Sequence, residues 1–305
     1  MKNFVFNNYG IYPSKIYYLD ENNLQFFYND DMYYIYITNF GEISEDNVKI
    51  YNNLIEEINM KNTQIKIKEI IKTKNGEFLC KKNNKVIILF RKVAYDCTND
   101  IKNFINDCEY LNALDLPSVD LKVQFEKEIN DLEVIVADNY NDNLLVQKSF
   151  NYYVGMAENA VQLLYEYDNT KENYLGLKCN FFNSCNDNFN IFNFFKANKY
   201  YNIVINIKLK MFAREFVFSD VDDLILNSSE NDLIYLFALF LYPIEFFDVL
   251  KILFVSGKAS EIEKEKYNKV LHKLINNMGD YLKFLNYFRE KCINFKKIEL
   301  INWII

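Results

Sequence analysis

Glycine and proline are scarce in this chain, 7 and 3 among 305 residues, and it has a single histidine and a single tryptophan. A phosphate-cradling loop needs several glycines at close spacing so that backbone N–H groups can converge on an anion; here Gly10, Gly41 and Gly76 each stand alone. With His272 as the only histidine there is no imidazole-based zinc site. Cys179 and Cys185, the closest pair among Cys80, Cys97, Cys108, Cys179, Cys185 and Cys292, therefore lack partners to complete a tetrahedron. No C-x-x-C occurs, and the opening Met1-Lys2-Asn3-Phe4 shows no secretory pattern, so a reduced cytoplasmic protein is expected. Its thiols are read as small buried hydrophobes. A basic excess is missing too: the formal charge is −7, which argues against nucleic acid, whose phosphates call for a positive face. The lysines of Lys61–Lys74 and Lys81–Lys92 alternate with Ile, Glu and Asn and read as solvated strand faces.

What is present is apolar and aromatic. Half the residues are hydrophobic, with 24 Tyr and 27 Phe, enough for one large domain or two moderate lobes without disulfides or metal. The centre of that core is Asn231–Gly257. Every residue from Leu233 to Tyr242 is apolar, Pro243 interrupts, and an amphipathic pattern resumes with Phe246, Leu250, Leu253 and Phe254. Ten such residues fall short of the ~20 that cross a bilayer, so two consecutive buried helices are predicted, with Pro243 at the start of the second.

Elsewhere the period changes along the chain. Leu24–Tyr28 and Met32–Thr38 read as strands joined at Asn29-Asp30-Asp31. Ile43–Asn59 follows a helical period, with Ser44 as its cap. Asn75-Gly76 predicts a hairpin between the strand through Ile70-Ile71 and Glu77–Lys81, and Lys85–Val93 reads as a buried strand. Helices follow at Ile101–Cys108, Val119–Leu132 and Phe150–Tyr167, the last with Ser149 as cap. Ile203–Leu209 alternates as a strand. A capping box at Ser260 and Glu263 opens a helix that Gly279 should stop; a last helix runs from Tyr281 to Cys292, and Leu300, Ile301, Trp303 and Ile304 form a docking tail. The sum is an α+β chain: residues 1–95 a strand-rich N-terminal lobe with one helix, residues 96–305 a helical C-terminal lobe. The lobes should meet near Ala94–Asp100, and a cleft there would be a usual ligand site.

Three stretches carry a resemblance. Phe150–Leu164 contains Y-x-G-x-A-E-N-A from Tyr153 to Ala160; Leu239–Asp248 reads LFLYPIEFFD; Lys297–Ile304 ends in I-x-x-I-x-W-I. In this order they resemble a family from low-GC Gram-positive bacteria related to spore-coat proteins, with the two-lobed aminoglycoside-phosphotransferase or protein-kinase-like fold. That resemblance implies a strand lysine on nucleotide phosphates, a catalytic-loop Asp and a magnesium-binding Asp. The corresponding positions here are Leu89 or Phe90 in the strand, with Lys92 as a weak substitute, and Asn180 in Leu177–Phe182, with Asp187 the nearest carboxylate. Asn206 stands at the metal position and Met211 where a further Asp would begin a helix. Amides and apolar groups there remove the oxyanions a hard cation requires.

The resemblance therefore implies a catalytically degenerate, pseudokinase-like scaffold or interaction protein. No cofactor or metal, no nucleic acid and no membrane span are expected; a protein partner is, of the kind met in a spore-coat or cell-envelope assembly. Two alternatives stand beside it. One is a phosphotransferase using displaced residues: Lys92, Asp187 and one of Asp220, Asp222 or Asp223. The other is an unrelated α+β binding protein. The acidic cluster Ser219–Asp223 is read first as a helix start favoured by the dipole, and His272 as a solvent-facing helix residue.

Overall fold

The computed structural model describes residues 1–19, 22–41, 43–61, 68–92, 116, 118–138, 143–167, 174–177, 194–255 and 261–292. The chain divides into two compact units: Met1–Pro117 with Ser184–Lys196, and Ser118–Asn183 with Ala197–Ile305.

The first unit is built on an antiparallel sheet. Its strands are β1 (Tyr17–Tyr18), β2 (Asn23–Tyr28), β3 (Asp31–Asn39), β4 (Glu69–Ile71), β5 (Cys80–Lys82) and β6 (Lys85–Arg91), in the order β1-β2-β3-β6-β4, with β5 also on β6. Asn29 and Asp30 both take positive φ, 49° and 65°, which gives the tight turn that sets Tyr28 opposite Asp31. α1 (Lys2–Tyr9), which the sequence pattern does not announce, lays Val5 and Tyr9 on the sheet face formed by Leu24, Phe26, Tyr33, Ile35, Ile37, Ile87 and Leu89. It ends at Gly10, whose φ of 78° lets its N–H close on Phe6 O. Val86, Ile88 and Phe90 alternate to the opposite face and are equally buried, so β6 is central. α2 (Glu45–Lys61) starts as predicted, with Ser44 Oγ accepting from Asn47 N–H at 3.1 Å.

The Asn75-Gly76 hairpin is not formed. A turn does sit there, with Gly76 at φ 83° and its N–H on Thr73 O. The strands it links, however, do not pair with each other. β4 pairs with Leu89–Arg91 and β5 with Lys85–Ile87, one after the other along the same edge of β6. A seven-residue central strand has an edge long enough for both three-residue strands, and filling it satisfies more of β6 than a free hairpin would. The tight turn is instead Asn83-Asn84, at φ 49° and 60°.

The second unit is mainly helical: α3 (Leu121–Asp138), α4 (Leu144–Glu166), α5 (Tyr200–Ala213), α6 (Asp222–Leu226), α7 (Glu230–Leu241), α8 (Ile244–Leu250) running into a π-turn (Lys251–Val255), α9 (Glu261–Asn276) and α10 (Met278–Lys291). β7 (Tyr174–Leu177) also belongs to it, while β8 (Phe194–Ala197) begins in the first unit and enters this one at Ala197. α7 is buried on all sides from Leu233 to Leu241, as its composition predicts, and is opened by a Ser229–Asp232 capping box. Glu230–Phe254 as a whole is long and apolar enough to cross a membrane, but 94% of its most apolar window is buried, and Pro243 breaks it. Phe125 stacks on Tyr242, Tyr153 on Phe246, and Phe284 meets Phe240 edge-on.

Three further expectations are corrected. Ile203–Leu209 is not a strand but the middle of α5; from Tyr200 to Lys208 every residue except Ile203 is buried, so alternation along it carried no facial information. α4 is capped by Asn143, whose Oδ1 accepts from Leu145 N–H at 3.0 Å, and not by Ser149, which lies inside the helix and donates to Leu145 O. The break after α9 falls at Asn277, so Gly279 sits in the first turn of α10. The expected helix Ile101–Cys108, the lobe junction at Ala94–Asp100, Ser260 and the C-terminal tail lie outside the described residues.

Candidate functional site

Pro243 supplies no N–H, so the helix of α7 cannot run on through it. Phe246 N–H bonds to Pro243 O instead of Tyr242 O. The Tyr242 carbonyl accepts from Ile244 N–H at 2.9 Å and from Lys208 Nζ at 2.7 Å. Lys208 is 1% exposed and also reaches Glu245 Oε2 at 3.2 Å and Oε1 at 3.4 Å. Its ammonium lies 5.3 Å from the centre of the Tyr281 ring. Burial lowers the Lys208 pKa, and the Glu245 carboxylate works against that.

This pair forms the floor of a pocket of about 480 Å³ in the helical unit. Tyr153, stacked on Phe246 at 3.7 Å, and Tyr281, whose hydroxyl donates to Phe240 O, stand beside it. Met211, Phe212, Phe216, Phe218 and Leu274 supply apolar wall. Arg214, Asp280 and Lys283 form the rim: Asp280 and Lys283 are paired at 2.9 Å and mostly solvated, and Arg214 donates to Asn277 Oδ1 at 3.1 Å. Burial raises the Tyr153 pKa, with the negative charge of Glu245 adding to it. A second buried polar group lies behind: Glu128 accepts from both Tyr242 Oη and Lys251, which also faces Asp248 at 3.5 Å.

Among the described residues assigned candidate catalytic or metal positions from the sequence, Met211 alone lines this pocket. Phe90 is buried in β6 between Tyr34 and Ile70. Lys92 follows the ladder and gives its backbone N–H to Met32 O. Arg91, between them, is held by Glu69 at 2.6 Å and faces Asp31 at 3.8 Å. Asn206 is buried within α5. Asn180, Asp187, Cys179 and Cys185 lie outside the described residues. Asp222 and Asp223 occupy the first turn of the short α6, and Asp222 accepts from Tyr287 Oη at 2.5 Å and faces Lys291 at 3.7 Å. His272 is exposed. Among the described residues no cluster of three His, Cys, Asp or Glu side chains is arranged to hold a metal.

Lys208 and Glu245 are the residues that sequence reasoning missed. Lys208 falls in the stretch expected to be the strand Ile203–Leu209, with no role assigned to it there, yet a lysine flanked on both sides by apolar residues is a signal of buried pairing.

An antiparallel sheet in the N-terminal part followed by a helical C-terminal part is the kinase-like fold of the aminoglycoside phosphotransferases. An aminoglycoside phosphotransferase from Alicyclobacillus acidocaldarius subsp. acidocaldarius DSM 446 superposes with a TM-score of 0.55 at 9% identity, over 95% of this chain and 93% of that one. An amicoumacin kinase solved with AMP-PNP, calcium and amicoumacin gives a TM-score of 0.50 at 10% identity, over 88% and 91%. At these identities the likeness is one of fold. No family model and no curated protein matches the sequence.

Proposed function

We propose that this chain is a kinase-fold protein without phosphoryl transfer, serving as a binding and interaction module with a protein partner, of the kind used in a spore-coat or cell-envelope assembly. The observation that carries this is in β6. Where the resemblance calls for a lysine on nucleotide phosphates, Phe90 is packed at 5% exposure, and the adjacent cation, Arg91, is committed to Glu69 and Asp31. A second observation supports it. Asn206, at the position where the resemblance calls for a magnesium-binding Asp, is buried within α5. An amide there offers no oxyanion to magnesium. The pocket above Lys208 and Glu245 is the place for a small ligand.

Calorimetry with magnesium-ATP, paired with a transfer assay using radiolabelled γ-phosphate and an aminoglycoside or a host lysate as acceptor, tests the proposal. No saturable heat and no transferred label are expected. Micromolar binding with transfer that Lys92→Ala abolishes would establish instead a phosphotransferase working through displaced residues.

A further inference from the structure

We infer that the helical-unit pocket binds a small organic anion: an apolar or aromatic body with a hydrogen-bond donor at its inner end and an anionic group at its outer end. The inference rests on the proposed role of this pocket as the ligand site and adds the class of ligand. Its volume of about 480 Å³ suits a molecule of some twenty non-hydrogen atoms.

The inner end follows from hydrogen bonding. Glu245, at 12% exposure, has Lys208 as its only partner among the described residues. A carboxylate has about four acceptor positions, so some remain for a ligand N–H or O–H. The Tyr153 hydroxyl, on a residue 5% exposed that lines the pocket, has no hydrogen-bond partner among the described residues. The floor is already neutral as a Lys208–Glu245 pair, so a third buried charge there would be opposed by the cost of desolvating it. The donor is therefore uncharged.

The outer end follows from the rim. Asp280 and Lys283 neutralise each other. Arg214 is left with the Asn277 amide and no carboxylate within ion-pair distance among the described residues. The backbone at Arg214 sharpens this. It is the residue that ends α5, at φ 63° and ψ 29°, a left-handed position that favours glycine or asparagine because a Cβ crowds the backbone there. A residue poorly suited to its backbone, with a guanidinium that feels the Asp280 charge but forms no ion pair at a pocket mouth, points to a ligand and not to stability. The first turn of α10, with the positive end of its dipole, borders the same mouth through Met278 and Asp280.

Anilinonaphthalene sulfonate has these features, an aromatic body with one N–H and one sulfonate; N-phenylnaphthylamine is its uncharged counterpart. Fluorescence titration of the full chain is expected to give one saturable site for the sulfonate, bound more tightly than the uncharged probe. Arg214→Gly should weaken the sulfonate about tenfold and leave the uncharged probe unchanged, with a melting midpoint equal to or above that of the parent. Met211→Trp, which fills the wall, should weaken both. If Arg214→Gly keeps sulfonate affinity within about twofold while both probes bind and Met211→Trp weakens both, the pocket stands as a ligand site and the anionic class is overturned. If neither probe saturates, the ligand class and the pocket reading fall together, while the conclusion about phosphoryl transfer rests on its separate assay.

Discussion

Lys208 is the most demanding side chain to bury in the helical unit, at 1% exposure with a full positive charge. Its three N–H donors meet the Tyr242 carbonyl, the Glu245 carboxylate and the face of Tyr281. The first of these exists because Pro243 turns the chain. A buried ion pair adds little net stability when the desolvation of both members is counted, yet breaking one by removing a single partner leaves a lone buried charge. Lys208→Ala is therefore expected to destabilise the protein by about 3–5 kcal/mol, because Glu245 stays behind unpaired. Lys208→Met combined with Glu245→Gln should cost less than the sum of the two single changes, with a coupling above about 1 kcal/mol. Urea unfolding of the four proteins in the cycle measures this, and additive single effects would show that the pair is not the coupled unit described.

The helix ends show how far the sequence can be read at the scale of an element. The cap read from the sequence is Ser149, and the residue that acts as one is Asn143, accepting from Leu145 N–H and donating to Asn268 Oδ1 at 2.8 Å. Asn143→Ala should cost about 1 kcal/mol or somewhat more. Ser149→Ala, inside the helix, should be neutral within about 0.5 kcal/mol, since alanine has the higher helix propensity. Equal losses in thermal denaturation would contradict the assignment. β2 and β3 with their Asn29-Asp30 turn and α2 with Ser44 were legible, and the α7–α8 pair was legible from its unbroken apolar run and the interruption at Pro243. α5 was not, because a helix buried nearly all round has no polar face to reveal its period, and Ile203, Ile205, Ile207 and Leu209 mimic a strand. Asn75-Gly76 reads as the hairpin turn, while the tight turn is Asn83-Asn84, a choice made by the edge of β6. In the pocket, Tyr153 and Phe246 were visible only as core stripes. The Lys208–Glu245 pairing spans 37 positions and has no local signature.

At the scale of the whole molecule, the aromatic core makes stability depend on pH in the alkaline range. Burial raises the pKa of Tyr9, Tyr153 and Tyr242, and that of Tyr281, whose hydroxyl is turned inward onto Phe240 O. The buried Cys292 thiol is pushed up to about 12. In the unfolded chain these groups lose their protons near pH 10 for tyrosine and about 8.5 for cysteine. Above those values the unfolded state binds fewer protons than the folded one, so stability falls as pH rises. Two lysines act in the opposite sense. Burial lowers Lys208, and takes Lys251 down to about 8, so between that value and the unfolded lysine pKa of about 10.4 the folded state binds fewer protons and stability rises with pH. The expected profile is level or gently rising from about pH 8 to 9, where Lys251 opposes Cys292, followed by a steep loss above about pH 10, where four tyrosines join the cysteine. Urea midpoints across this range, followed together with tyrosinate absorbance, provide the measurement. The buried tyrosines should ionise only as the chain unfolds, in a cooperative step that coincides with loss of helix signal. A single smooth titration of all tyrosines near pH 10 with the helix signal intact would mean that water reaches these rings, and that the core around Tyr242 and Phe246 is looser than its stacking requires.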